Sequence, residues 1–476
     1  MALPADHRLT RIVATIGPAT ISPARLRLMV AAGMDVARLN MSHGDASFHR
    51  RAARAVRAAG RSLGRIVGLM ADLQGPKVRF GDFGQAVPIR RGMPLVLTVR
   101  PAAADPERGV LPVDYPHLPR EAEPGHEILV GDGAVRLKVR RVRGERVYCT
   151  VIEGTEISPR TGFHLPQAKP HGPALTAKDR RDLTLAVELG VDAVALSFVR
   201  TGEDVALARR LLRRRGSEAL IVAKIETPQA LDNLDEILAA ADGVMVARGD
   251  LGVALPPERV PVEQKRIIEA ATASGKPVIT ATQMLESMRY ATRPTRAEAS
   301  DVANAVWDGS WALMLSAETA TGHHPVEAVR MMKRIIEAAE RRLFKLPRRR
   351  RAPGPVPVSE GIAEAATWIA FDVGARAIVA LTRSGATARQ VARFAPSLPV
   401  YGYTPNREAL GRMTLYRGVV PRPLRMQRTF SAAIRAVNAD LKRRGEARRG
   451  ELVVILGGSP DEPLGVTNRL VVHQIR

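Results

Sequence analysis

Residues 220–226 read Leu-Ile-Val-Ala-Lys-Ile-Glu, and residues 243–250 read Gly-Val-Met-Val-Ala-Arg-Gly-Asp. Each stretch is a short apolar run that ends in charged residues, which is typical of a buried strand. A helix-length segment separates the two runs. Parallel strands need such a crossover between them, so this pattern predicts βα units and a parallel sheet.

Six further apolar runs repeat this arrangement along the chain, most of them also separated by helix-length segments. The eight runs are residues 11–15, 35–39, 65–71, 192–196, 220–224, 243–247, 277–281 and 311–315. Eight βα units close naturally into a (β/α)8 TIM barrel, and α/β with such a barrel is the predicted fold class. An open doubly wound sheet is the alternative.

Polar residues follow most of these runs, at the point where each strand is expected to end. They are Asn40 to His43, Asp72, Ser197, Glu226, Arg248 to Asp250, Thr282 and Gln283, and Ser316 to Glu318. In a barrel these side chains gather at the carboxyl-terminal face, where active sites are built. An open sheet would spread them along a crevice instead.

Two regions depart from the βα rhythm. Residues 135–140 and 147–152 alternate with period two, and Gly131-Asp132-Gly133 marks a turn, which predicts an inserted all-β lid domain built as a small β-barrel. After a basic, proline-rich linker, a helix and three apolar runs predict an open α/β domain. The expected division is residues 1–76 and 171–345 for the barrel, 77–170 for the lid, and 346–476 for a C-terminal α/β regulatory domain.

Composition limits the classes of function. The formal net charge is +24, but the basic residues are mostly arginine spread along the chain and aromatic residues make up 4%, so nucleic-acid binding is disfavoured. No apolar run reaches the ~20 residues that span a bilayer, so no membrane partner is expected. Cys149 is the single cysteine and no signal-peptide pattern is present, which favours a cytoplasmic location.

Lys224 and Glu226 lie two residues apart at the end of one predicted strand, so both side chains should face the barrel mouth. Asp250, after the next strand, supplies a second carboxylate. Magnesium commonly takes one or two protein carboxylates and completes its octahedron with substrate oxygens and water. Glu226 and Asp250 are therefore candidate ligands of magnesium or manganese. The alternative is a structural Lys–Glu ion pair beside an unrelated aspartate.

Arg38, Arg79 and Lys224 could surround a phosphoryl group, whose transfer depends on positioning and charge neutralisation. Isolated arginines are usually solvated surface residues, and that alternative stays open for Arg38. Thr282 offers a hydroxyl, although a hydroxyl at a strand end is often only a helix cap. His43 could equally be a turn residue.

Several ordered motifs together resemble the pyruvate kinase family over nearly the whole chain. They are Thr15-Ile-Gly-Pro-Ala19, Arg38-Leu-Asn-Met-Ser-His-Gly44, Ala223-Lys-Ile-Glu226, Val246-Ala-Arg-Gly-Asp-Leu-Gly-Val253, Ala281-Thr-Gln-Met-Leu-Glu-Ser-Met288, Arg293-Pro-Thr-Arg-Ala-Glu298 and Met314-Leu-Ser-Ala-Glu-Thr-Ala320. The resemblance is strongest over the barrel. It implies a glycolytic phosphotransferase that moves the phosphoryl group of phosphoenolpyruvate to ADP, giving pyruvate and ATP.

The resemblance also implies roles for individual residues. The family's phosphate-binding arginine falls on Arg38 and its transition-state lysine on Lys224. Its magnesium ligands fall on Glu226 and Asp250. Thr282 lies on the side from which the enolate is protonated, and substrate contacts include Gly249, Asp250 and Thr282. Nucleotide contacts correspond to His43 and Arg79, and to Arg160 as a further match within the insert.

The family's monovalent-cation site corresponds to Asn40, Ser42, Asp72 and the backbone of Leu73. Potassium-dependent members commonly have Asp-Thr-Lys-Gly-Pro-Glu at this position, whereas this chain has Asp72-Leu-Gln-Gly-Pro-Lys77. A potassium-independent branch of the family has Asp-Leu-Gln-Gly-Pro-Lys at this position, as this chain does. The resemblance therefore implies that the ammonium of Lys77 replaces the ion and that potassium is not required.

Residues 382–388, Thr-Arg-Ser-Gly-Ala-Thr-Ala, join a predicted strand to a helix and resemble the family's effector-phosphate loop. Hydroxyl groups and free N–H groups at a helix N-terminus bind anions. A phosphorylated allosteric effector is therefore expected at Thr382, Ser384, Gly385 and Thr387, with a plain helix cap as the alternative. The resemblance further implies a homotetramer.

Two other functional classes stay open from the sequence alone. The first is a regulatory or RNA-binding protein on a retained kinase scaffold, which the charge favours and the complete catalytic set disfavours. The second is another phosphoenolpyruvate-using barrel enzyme, which the lid and the C-terminal domain disfavour.

Overall fold

The computed structural model describes residues 8–76, 78–131, 133–167, 172, 174–343, 354–394, 397–458 and 466–476. Three strands and two helices open the chain: β1 Arg11–Thr15, α1 Pro23–Ala32, β2 Val36–Asn40, α2 Ala46–Ser62 and β3 Gly68–Asp72. Ser22 and Asp45 cap the two helices by accepting hydrogen bonds from backbone N–H groups of the first turn.

The insert follows β3 and is rich in strands. Its elements are β4 Val87–Pro88, β5 Pro94–Thr98, β6 Val110–Pro112, α3 Leu118–Glu121, β7 Glu127–Val130, β8 Val135–Arg143, β9 Arg146–Glu153, β10 Glu156–Ile157 and β11 Phe163–His164, with 3-10 turns at Pro101–Ala103 and Pro106–Arg108. The strands form a six-stranded sheet with β11 and β6 at its edges, and a separate β4–β10 pair. The insert is thus strand-rich as predicted, but its described strands form an open sheet and not a closed small β-barrel, and α3 and the 3-10 turns make it not purely β.

The second part of the barrel contains five strands and their helices. They are α4 Ala177–Leu189, β12 Ala193–Leu196, α5 Gly202–Arg213, β13 Leu220–Ile225, α6 Pro228–Asp232, α7 Leu234–Ala240, β14 Gly243–Ala247, α8 Arg248–Ala254, α9 Val260–Ala273, β15 Val278–Ala281, α10 Arg296–Trp307, β16 Ala312–Leu315, α11 Ala317–Ala320 and α12 Pro325–Leu343, with 3-10 turns at Pro257–Arg259 and Glu286–Arg289. One prediction needs correction: Arg248 to Asp250 do not end a strand but form the first turn of α8.

The eight predicted barrel strands close on themselves in the order β1-β16-β15-β14-β13-β12-β3-β2, all in parallel. This confirms the barrel over the open doubly wound sheet. The strands are almost entirely buried, because the helices cover their outer face and side chains fill the interior. Closure brings the eight carboxyl-terminal strand ends to one face.

The C-terminal domain contains α13 Val358–Asp372, β17 Ala377–Leu381, α14 Ala386–Arg393, β18 Val400–Thr404, α15 Arg407–Arg412, β19 Val419–Pro423, α16 Phe430–Arg443, β20 Leu452–Gly457 and β21 Arg469–Gln474, with a 3-10 turn at Met413–Leu415. Its sheet has the order β19-β18-β17-β20-β21, and β21 is antiparallel. The open α/β domain is confirmed. The sequence missed β19 and β21, which lack a continuous buried apolar run.

The C-terminal domain packs under the amino-terminal end of the barrel. Asp192, just before β12, accepts a hydrogen bond from the Leu69 N–H (2.8 Å). A β-carbon on Gly411 of α15 would lie 1.6 Å from Asp192 Oδ1, so only glycine permits this close approach. Burial, opposed by the Leu69 N–H and by Arg57 and Arg412, raises the pKa of Asp192 to about 6.

Across the described residues, no helix is long and apolar enough to cross a bilayer.

Candidate active site at the barrel mouth

A group of charged side chains lies where β3 and β13 end. Lys224 Nζ lies 2.7 Å from Glu226 Oε1 and 3.4 Å from Asp72 Oδ1, and all three side chains are buried. Burial lowers the pKa of Lys224, but the carboxylates of Asp72, Glu226 and Asp250 outweigh it and raise that pKa above its ordinary value. Lys224 is therefore held as a buried ammonium.

Arg38 joins this group from β2. Its Nε donates to Asp72 Oδ2 (2.7 Å) and its guanidinium donates to Thr15 Oγ1 (3.0 Å). Burial raises the pKa of Asp72, but Lys224 and Arg38 outweigh burial and lower it. Asp72 is thus a carboxylate that orients two cations, and Arg38 is not a solvated surface residue.

The pKa of Glu226 is shifted in the opposite direction from that of Asp72. Burial and the nearby carboxylate of Asp250 raise its pKa even though Lys224 and the Phe198 N–H act in the opposite direction. The ion pair with Lys224 is therefore outweighed by burial and by the neighbouring acid Asp250. Glu226 and Asp250 also line the same cleft at the barrel mouth.

The two neighbouring acids, Glu226 and Asp250, fit a divalent cation that keeps positions for substrate oxygens and water. Within the residues that the structure describes, no cluster of three or more His, Cys, Asp or Glu side chains is placed to hold a metal. Two protein carboxylates leave most positions of an octahedral ion for substrate oxygens and water.

Gly249 and Thr282 meet between α8 and the end of β15. The Gly249 N–H donates to Thr282 Oγ1 (2.8 Å), and that hydroxyl donates to the Ala281 carbonyl (2.5 Å). Thr282 has a left-handed φ of 68°. The threonine therefore caps the neighbouring helix, and it does not cap a helix that follows its own strand.

Sequence reasoning assigned no role to Arg248, Ser197 or Phe198, although the structure places all three around this cluster. Arg248 pairs with Asp301 (2.6 Å) and donates to the Thr282 carbonyl (2.6 Å), so it holds the strained Thr282 turn. Ser197 Oγ accepts from Lys224 Nζ (2.6 Å) and donates to the Leu73 carbonyl (2.7 Å). The polar residues after β12 were the available signal for Ser197.

The lid faces the barrel across a cleft of about 140 Å³, which Glu226, Asp250, Phe198 and His164 help to line. Arg79 lies at the start of the lid, where it forms a bridge with Gly162. Arg160 is exposed and pairs with Asp82 inside the lid (2.6 Å). His43 is exposed after β2. Of the predicted nucleotide residues, His43 therefore follows a barrel strand, whereas Arg79 and Arg160 belong to the lid.

Of the four residues predicted to bind a monovalent cation, three have the oxygen concerned in contact with protein groups, namely Asn40, Asp72 and Leu73. Asp72 contacts Lys224 and Arg38, Asn40 Oδ1 accepts from the Ser42 N–H (3.1 Å), and the Leu73 carbonyl accepts from Ser197. Lys77 lies outside the described residues.

The predicted effector loop joins β17 to α14, with Gly385 at the N-cap in a left-handed conformation (φ 92°). Thr382 Oγ1 accepts from the Gly385 N–H (3.0 Å), while Thr387 and Thr467 share a hydrogen bond (2.8 Å). A cavity of about 370 Å³ adjoins the loop, and its lining includes the arginines Arg383, Arg412 and Arg425.

The family models that match are those of the pyruvate kinase barrel domain, over residues 7–329, and the pyruvate kinase alpha/beta domain, over residues 360–473. The chain is 45% identical to a pyruvate kinase from Mycobacterium tuberculosis over 98% of both chains. It is 42% identical to one from Corynebacterium glutamicum, over 98% of this chain and 97% of the relative.

A solved structure gives the same result. A pyruvate kinase from Cryptosporidium parvum superposes with a TM-score of 0.91 at 33% identity, over 100% of this chain and 98% of that one. The matches extend over the barrel, the insert and the C-terminal domain of this chain. The protein is a phosphotransferase that belongs to the pyruvate kinase family.

Proposed function

We propose that the barrel mouth transfers the phosphoryl group of phosphoenolpyruvate to ADP through the residues that closure of the barrel brings together. The observation that carries this proposal is the buried ammonium of Lys224 held between Asp72 and Glu226. A fixed positive charge in a dry site stabilises the charge that develops on the bridging and phosphoryl oxygens. Arg38, oriented by Asp72, binds the phosphoryl group from the second side.

Glu226 and Asp250 hold magnesium or manganese in this proposal, and their shared position in the lining of one cleft supports their role. When bound, the metal acts as a Lewis acid towards the oxygens of the substrate. Gly249 and Asp250 at the first turn of α8, with Thr282 hydrogen-bonded to the Gly249 N–H, position the substrate beside it.

Protonation of the enolate is the second chemical task. Thr282 lies on the expected side, but its hydroxyl already donates to the Ala281 carbonyl and accepts from Gly249. A threonine hydroxyl is also a very weak acid. The proton therefore comes from water, and Thr282 orients that water and the α8 turn.

The nucleotide binds where barrel and lid meet, beside the cleft, with His43 of the barrel and Arg79 and Arg160 of the lid as its contacts. Arg160 must exchange Asp82 for a phosphate in this proposal. Both partners are more than half exposed, at 71% and 56%, so breaking that pair costs little.

We further infer that potassium is not required. Three of the family's four cation-site residues have oxygens with partners in Lys224, Arg38, Ser42 and Ser197, which supports a site filled by protein groups. A tethered ammonium at Lys77 would supply the remaining charge without recruiting a free ion.

Regulation is assigned to the loop of Thr382, Ser384, Gly385 and Thr387, where arginines in the adjoining cavity suit a phosphorylated small molecule. A homotetramer that acts in the cytoplasm completes the proposal. The single cysteine, buried Cys149, is consistent with a reducing compartment.

The experiment is a steady-state assay that couples pyruvate formation to a dehydrogenase, with phosphoenolpyruvate, ADP and magnesium each omitted in turn. Activity that depends on all three supports the proposal. A purified, folded chain that makes no pyruvate under saturating conditions would refute it.

A further inference from the structure

Phe198 follows β12 in a backbone conformation that a bulky residue seldom adopts. Its φ is +54°, in the left-handed region where the β-carbon approaches the following carbonyl. Such a conformation persists only when surrounding contacts hold it, and it commonly marks a functional position. Three contacts hold Phe198, and each joins a different part of the site.

The first contact is made by the backbone. The Phe198 N–H donates to Glu226 Oε2 at 2.6 Å. Lys224 Nζ lies closest to the other oxygen of this carboxylate, Oε1, at 2.7 Å. The strained backbone therefore fixes one half of the Glu226 carboxylate while the lysine fixes the other.

The second contact is made by the ring. It packs against His164 of the lid strand β11, with ring centroids 6.2 Å apart and planes inclined at 46°. Phe198 and His164 both line the cleft between lid and barrel.

The third contact joins Phe198 to the crossing from barrel to lid. A β-carbon on Gly75 would lie 2.9 Å from Phe198 Cδ2, so the ring rests on the Gly75 backbone. The Gly75 N–H donates to Asp179 Oδ1 (3.0 Å), and Asp179 completes the capping box of α4 just after the return crossing. Phe198 thus packs against Gly75, whose hydrogen bond to Asp179 joins the segment that leaves the barrel for the lid to the start of the helix that follows the lid.

We propose that Phe198 is a positioning residue that couples the lid to the metal-binding carboxylate. Its left-handed backbone orients Glu226, and its ring anchors the lid through His164 and Gly75. The packing of the ring holds the backbone in its strained conformation. This inference rests on the proposed metal role of Glu226 and on the proposed nucleotide site beside the cleft.

Two substitutions separate the backbone from the ring. Phe198→Gly removes the ring but adopts positive φ without strain, so the N–H stays on Glu226. Phe198→Ala removes the ring but keeps the β-carbon that disfavours a positive φ. Without the ring to hold it, the backbone moves to a relaxed conformation and the N–H turns away from Glu226. The affinity for manganese alone, measured by electron paramagnetic resonance without substrate, should fall at least about fivefold in the alanine variant and stay within about twofold of wild type in the glycine variant.

The lid contact has a different readout. Both Phe198 variants and His164→Ala should raise the KM for ADP several-fold. Phe198→Gly combined with His164→Ala should raise it no further than either alone, because both remove one shared contact. Circular dichroism and thermal midpoints establish that each variant is folded.

Equal manganese affinities in the alanine and glycine variants would overturn the backbone role. A wild-type KM for ADP in Phe198→Gly or His164→Ala would overturn the ring role, and this holds even if the alanine variant does not fold. Failure of this inference can be told apart from failure of the proposed function. If the wild-type chain has no kinase activity, the manganese affinities of the variants can still be compared, because they are measured without substrate.

Discussion

Lys224 Nζ lies 2.7 Å from Glu226 Oε1, two residues along the same strand end. A lysine held this way is aligned before substrate arrives, and it needs little reorganisation during the reaction. Lys224→Met keeps the length of the side chain and removes the charge. Turnover should fall about a hundredfold to a thousandfold, the effect of removing one donor at a developing charge.

Lys265→Met is the matched control for Lys224→Met. Lys265 is half exposed on α9 and pairs with Asp308, so its loss should leave turnover unchanged. More than about a tenth of wild-type turnover in Lys224→Met would contradict the assigned role.

The metal carboxylates give a second prediction. Glu226→Gln and Asp250→Asn each replace a charged oxygen ligand by a neutral amide, which a hard cation binds poorly. Both should raise the magnesium concentration needed for half-maximal rate, and the double variant should show little saturable metal binding by calorimetry. Glu258→Gln, at an exposed position of the same barrel face, is the control. Unchanged affinity in both single variants would place the metal elsewhere.

Potassium dependence gives a third prediction. Initial rates in buffer free of potassium and sodium should approach those in potassium chloride at matched ionic strength. Lys77→Glu should create a potassium requirement, whereas Lys138→Glu, elsewhere in the lid, should not. A rise of more than about tenfold on adding potassium to wild type, or an irrecoverable loss in Lys77→Glu, would refute the substitution of the ion by lysine.

The effector loop gives a fourth prediction. Ser384→Asp puts a negative charge beside the N–H groups and arginines expected to hold a phosphate, so activation by phosphorylated metabolites should be lost while basal turnover is kept. Ser62→Asp, an exposed change on α2, should leave activation intact. If every effector that activates wild type activates Ser384→Asp equally, the loop is only a helix cap.

The interface between the barrel and the C-terminal domain gives a fifth prediction. The folded-state pKa of Asp192, about 6, exceeds the ordinary value of 3.8, so the folded state binds this proton more tightly than the unfolded chain. Its contribution to stability is present at low pH and is lost as pH rises through that window. Asp192→Asn should therefore gain stability relative to wild type between pH 4 and 6, by at most about 1.4 kcal/mol for each pH unit.

Denaturant unfolding of wild type and Asp192→Asn at pH 4, 5, 6 and 7 measures this difference. Asp242→Asn is the contrasting variant, because Asp242 similarly accepts from the Ile221 N–H but also pairs with Arg209 at 2.9 Å. That variant should lose stability. A constant difference between Asp192→Asn and wild type across the pH range would show that burial does not raise this pKa.

The sequence by itself determined the barrel, because eight buried strands carry apolar runs and polar residues directly follow most of those runs. It also placed Lys224 and Glu226 side by side, since residues two apart in a strand share a face. It missed β19 and β21, whose half-exposed residues lack such a run.

Only the tertiary structure decided which charges offset one another. Arg38 and Asp72 lie 34 residues apart, and Phe198 and Glu226 lie 28 apart, so only the pairing of β2 with β3 and of β12 with β13 brings them together. The same holds for the pKa of Glu226, which burial and Asp250 raise although its own neighbour Lys224 would lower it. Local sequence fixes backbone conformation and the face of each side chain, whereas burial and charge balance depend on contacts between distant strands.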